Sequence, residues 1–119
     1  MKKAIRLLLP FLAAIAMLAQ QPPLRVGGNV MEANIMKKVP PTYPEAMKAQ
    51  GLEAKVSLAV LIDAQGVPKS ISVEDAGGPS DFSDAAIQAV KEWRYRPTLL
   101  NGQPVEVLTT ITINFTLAK

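Results

Sequence analysis

The chain has 119 residues, 49% hydrophobic and 19% charged, with thirteen Lys and Arg, ten Asp and Glu, and neither Cys nor His. That is enough chain for one domain, and the missing residue types exclude disulfides, thiolate nucleophiles, Ser-His and Cys-His pairs, and His or Cys metal sites. The formal charge of +3 resides in Lys2, Lys3 and Arg6; beyond them cations and anions balance, and a body without a basic stripe does not suit nucleic acid.

Residues 1–19 read as a secretory signal peptide or a short anchor. Lys2 and Lys3 precede an uncharged, almost wholly apolar run over residues 7–19, the layout of an export signal. A spanning helix wants roughly 20 apolar residues, so cleavage after Ala16 or after Ala19 is the favoured expectation. Residues 20–38 read as a mostly extended lead-in, because Pro22-Pro23 and Gly27-Gly28 interrupt a stretch with few periodic apolar positions. Gly27-Gly28 lacks the flanking strand, helix and Lys of a phosphate loop.

From Val39 the pattern sharpens into a domain that runs to Lys119. Thr42 with Glu45 matches a capping box and Pro44 suits a first helical turn, which predicts a helix over 44–50. Gly51 then fits the left-handed position that closes it. Residues 55–63 alternate, with Val56, Leu58, Val60 and Ile62 on one face, which is a strand period. Asp63 to Gly66 reads as a tight turn, and residues 70–74 return with Ile71 and Val73 inward, completing an antiparallel hairpin. Pro68 has no N–H and wants an edge.

After the break at Gly77-Gly78-Pro79, Ser80 or Asp81 can cap a second helix. It carries Phe82, Ala86, Ala89, Val90 and Trp93 on one stripe. Asn101-Gly102 marks a turn, and residues 106–117 alternate as a long final strand. The sum is an α+β fold, a three-stranded antiparallel sheet with two helices packed on one face, in the order second, first, third strand.

That final strand has no Pro, no Gly and no charge after Glu106. At an edge it would expose a row of unpaired N–H and C=O groups, which natural proteins usually blunt, and strand addition by a partner would use them. The competing expectation is that the strand is central or covered by the lead-in. Thr110, Thr112 and Asn114 are the candidate outward positions. Tyr43, Pro44, Tyr95 and Arg96 are candidate contacts beside them, while Trp93 is assigned to the core because it continues its helix's apolar stripe.

Glu74 and Asp75 point to opposite faces of a strand, and Asp81 and Asp84 suit a helix N-terminus. Neither pair forms a natural acid and base, so the chain reads as a non-enzyme that needs no cofactor and no metal.

With these elements in place, residues 39–46 (Val-Pro-Pro-Thr-Tyr-Pro-Glu-Ala), Gly51, Asp63 with Gly66, Ala85-Ala86 with Val90, and residues 91–97 (Lys-Glu-Trp-Arg-Tyr-Arg-Pro) resemble the TonB carboxyl-terminal domain. The resemblance covers about Val39 to Leu117. It implies a periplasmic domain that binds the TonB box peptide of TonB-dependent outer-membrane receptors, in transducers driven by an ExbB/ExbD-type complex. Three forms fit the chain: an exported peptide-binding domain, a short inner-membrane-anchored transducer, and a structural homodimer formed through the same edge. The first two predict different products in a Gram-negative host. Intact-protein mass spectrometry should find a chain that has lost residues 1–16 or 1–19, and a full-length product in the membrane fraction would establish the anchor instead.

Overall fold

A computed structural model describes residues 22–118, so the signal-peptide and cleavage expectations for residues 1–19 lie outside it. The elements are β1 (Leu24–Arg25), α1 (Gly28–Glu32), β2 (Ile35–Lys37), α2 (Glu45–Ala49), β3 (Ala54–Ile62), β4 (Pro68–Asp75), α3 (Ser80–Val90), β5 (Arg94–Tyr95), β6 (Thr98–Leu100), β7 (Gln103–Val105) and β8 (Val107–Phe115). No helix among the described residues is long and apolar enough to cross a membrane.

The alternation in β3 and β8 dictates the core. Val56, Leu58, Val60 and Ile62 of β3, with Val107, Ile111, Ile113 and Phe115 of β8, are all buried on one face. The two strands pair antiparallel without interruption from Ala54 opposite Phe115 to Ile62 opposite Val107. Phe82, Ala86 and Val90 of α3, Met47 of α2 and Met31 of α1 join the same apolar cluster. The fold is therefore the expected α+β arrangement. The sheet runs β1-β8-β3-β4, which puts β4, with Pro68, at one edge and gives the expected order to its three long strands.

The differences are local and have physical reasons. The lead-in is not simply extended: it forms β1, α1 and β2, giving a third helix, a fourth strand to the main sheet and a separate pairing of β2 with β5, and it is held down by Met31, only 1% exposed. The capping box of Thr42 and Glu45 is not made. Pro44, extended at φ −62° and ψ 127°, is the N-cap residue and has no side-chain bond to the helix, so Thr42 lies too far back to cap. Pro79, rather than Ser80 or Asp81, likewise precedes α3. Ile71 is half-buried as expected, but Val73 is 42% exposed, because β4 is the outermost strand and projects beyond the helical cover.

The predicted turns form. After α2, Gly51 takes φ +68°, the Leu52 N–H reaches the Met47 carbonyl at 2.9 Å and the Gly51 N–H reaches Lys48 at 3.1 Å, the two bonds of a Schellman cap. In the β3–β4 hairpin the Asp63 carboxylate accepts the Gln65 and Val67 N–H groups, each at 2.9 Å. Gly66, at φ +87°, lies so close to the Tyr95 carbonyl that any Cβ would collide with it, and the Tyr95 N–H donates to the Gly66 carbonyl at 2.9 Å. The hairpin turn is thus fastened to β5.

Trp93 follows α3, is 3% exposed, and donates its indole N–H to the Val39 carbonyl at 2.7 Å. It ties the end of the lead-in to the helical layer. Trp93→Ala should destabilise the domain by about 3–5 kcal/mol, the usual loss on deleting a large buried side chain, read as a lower urea midpoint. An unchanged midpoint would place Trp93 outside the core.

Candidate partner-binding edge

The direction in which β8 presents its main chain follows from two hydrogen bonds. The Leu24 N–H donates to the Glu106 carbonyl at 2.8 Å and the Val26 N–H to the Leu108 carbonyl at 3.1 Å. Main-chain groups alternate sides along a strand, so Thr110, Thr112 and Asn114 also turn their N–H and C=O groups away from β3. β1 runs parallel to β8 and pairs only with Val107 and Leu108. Gly28 then crosses the Thr110 carbonyl closely enough that a Cβ there would collide with it. Among the described residues, no backbone bond closes the outward groups of Thr112 and Asn114.

A cavity of about 220 Å³ lies beside this open stretch, between the α1–β2 segment and the strand. Its lining includes Glu32, Lys38, Trp93, Tyr95, Thr110 and Thr112. Lys38 Nζ sits 3.5 Å from Glu32 Oε1 and 5.3 Å from the centre of the Trp93 ring, so the two charges at this wall offset one another and an aromatic plane backs them. Such a wall favours an uncharged side chain.

The far end of β8 is aromatic. The Tyr43 ring meets Phe82 at 5.9 Å and Phe115 at 5.6 Å, both edge to face, and its hydroxyl donates to the Leu52 carbonyl. Burial, followed by the nearby Glu53 carboxylate, raises the Tyr43 phenol above its ordinary pKa. Pro44 follows Tyr43 and Asn114 precedes Phe115 in the chain, with Asn114 exposed on the opposite face of β8 from the cluster, while Thr110 and Thr112 line the cavity. On the solvent face of the sheet, the Thr110 hydroxyl donates to Glu74 Oε1 at 3.1 Å, and Lys69 bonds Glu106 at 2.9 Å just before β8 begins.

Two candidates sit elsewhere than the sequence suggested. Tyr95 is 2% exposed: β5 pairs with Ile35 of β2 and draws the ring under the lead-in, so it lines the cavity from the core side rather than standing on the surface. Arg96 is exposed, bonds the Asn34 carbonyl through its own N–H at 2.9 Å, and is not part of the cavity wall. Glu32 and Lys38 were not legible as site residues. The only signal in the lead-in was its apolar positions Val26, Met31 and Ile35, all drawn toward the core.

A one-sided sheet with helices on its buried face, and a last strand paired along its whole length with β3 but covered on its outer side only in its first half, defines a small α+β domain. The chain belongs to the family of the Gram-negative bacterial TonB protein C-terminal, whose model matches residues 39–117. It is 33% identical over 78 residues to protein TonB of Xanthomonas campestris, a match covering 66% of this chain and 35% of that protein. It is 31% identical over 85 residues to protein TonB of Vibrio cholerae, covering 71% and 35%. The chain thus aligns with about a third of the length of these curated relatives. Among solved structures it resembles the TonB CTD of Pseudomonas aeruginosa, with TM-score 0.63, 27% identity, and coverage of 71% of this chain and 86% of that one. It also resembles the TonB2 protein from Vibrio anguillarum, with TM-score 0.58, 33% identity, and coverage of 84% and 95%.

The buried Tyr95 gives this region a pH signature. Burial first, and Glu32 second, push its phenol up to about 12 from 10.0. The unfolded chain therefore loses this proton before the folded one does, so the stabilisation is complete below pH 10 and is lost as pH rises toward 12. Tyr95→Phe removes that titration, and its urea midpoint should fall less steeply than the wild type's between pH 10 and 12. Parallel slopes would mean that the phenol ionises alike in both states.

Proposed function

We propose that this domain binds an extended segment of a TonB-dependent outer-membrane receptor by strand addition at β8, and so couples to transport across the outer membrane. The observation that carries the reading is the unpaired outward main chain of Thr112 and Asn114, on the stretch of β8 that β1 and Gly28 leave uncovered. Main-chain bonds supply affinity in this mode and flanking pockets supply selectivity. Here the flanking pocket is the cavity beside Thr112. Family membership supports a transducer role rather than an enzymatic one, with the domain in the periplasm and the ExbB/ExbD-type complex acting on an anchored form.

Proline separates this mechanism from its rivals, because it removes the N–H that strand addition needs. Thr112→Pro should abolish binding of TonB box peptides from receptors of the same genome, read by titration calorimetry, while circular dichroism shows a folded domain. Ile111→Pro and Ile113→Pro should unfold the protein, since their N–H groups face β3. A folded Thr112→Pro variant that binds normally would move the docking site off this edge. A homodimer without a receptor partner would lose self-association in the same variant and show no peptide binding in the wild type.

A further inference from the structure

The cavity beside Thr112 has room for a side chain or two, but not for a strand running the length of β8. An added strand must lie about 4.8 Å from its neighbour along the whole paired stretch. That lane is already taken: Leu24 and Val26 hold the Glu106 and Leu108 carbonyls, Gly28 sits over the Thr110 carbonyl with no space for a Cβ, and α1 stands along the cavity opposite Thr110 and Thr112. The same segment drops Met31 into the core, where it is 1% exposed.

We propose that residues 24–32 are a built-in competitor for the partner strand. The full docking surface runs from Glu106 to Asn114, and a partner gains all of it only by displacing β1 and α1. Displacement removes Met31 from the core, so the partner that fits is an extended peptide with an apolar side chain on its core-facing side to refill that space. The affinity an experiment reads is the intrinsic affinity reduced by the fraction of molecules whose lane is open. Apart from Met31 the competitor has few ties, since β1 contributes only two register pairs to the sheet and α1 has five residues, too few to persist alone.

This inference rests on strand addition at β8, and the test keeps the two apart. Val26→Pro removes the N–H that bonds Leu108 and loosens the lead-in without touching β8. Arg25→Cys with Leu108→Cys, in the full chain, joins two residues that are register partners, and no native cysteine interferes. The probe is the receptor peptide set used for the proline variants. Val26→Pro should bind roughly fivefold more tightly than wild type, the scale of one lost main-chain bond. The oxidised double-cysteine protein should bind at least that much more weakly than wild type, and dithiothreitol should restore it. Equal affinity for the wild-type, Val26→Pro and oxidised proteins would overturn the competitor while leaving strand addition at the open end in place. Weaker binding by a folded Val26→Pro variant would make the lead-in part of the receptor site, also against the proposal. No binding by any form, reduced or oxidised, would remove strand addition itself and the competitor with it.

Discussion

The uninterrupted pairing of β3 with β8 constrains everything else in this domain. Nine consecutive register pairs leave β8 no freedom to slip, because a shift of one residue would turn Ile111, Ile113 and Phe115 out of the core and bring Thr110, Thr112 and Asn114 in. The same alternation that buries the odd positions aims the main chain of the even ones away from β3. Core packing therefore decides which N–H and C=O groups are offered at the edge.

The aromatic cluster and the Trp93 bond carry that order outward. Phe115 ends β8 against Phe82 of α3, with ring centres 5.1 Å apart, and Tyr43 closes over both, so the segment ahead of α2 is fixed to the end of β8. Trp93 holds Val39 at the opposite end of that segment. Between these two ties, residues 39–43 have little freedom, and the short α2 persists because Met47 is buried and its last turn is capped.

The long strands, the α3 stripe and the turns were legible because each rests on a local pattern: period two in β3 and β8, spacings of three and four in α3, and glycine where a positive φ is needed. The lead-in was not. Its fold depends on contacts made far along the chain, Leu24 with Glu106 and Gly28 with Thr110, and no local propensity announces a five-residue helix that begins with glycine. Thr110, Thr112 and Asn114 could be named from alternation alone, whereas the Glu32 and Lys38 wall exists only because α1 docks. Tyr95 misled for the same reason: its burial comes from β2 lying over it, a consequence of the lead-in's path.

The direction of β1 has a mechanical consequence. Because it runs parallel to β8 and is joined there by bonds at Leu24 and Val26, a pull on the chain ahead of Pro22, directed away from the sheet, loads the Leu24 bond first and the Val26 bond only after it has parted. Each gives way singly. The next resistance along the chain is of another kind, Met31 seated in the core, and beyond it the Trp93 indole on Val39. Tension would therefore free Glu106 and Leu108 before it reached the hydrophobic interior, and baring the rest of β8 takes the further load that draws Met31 out of the core.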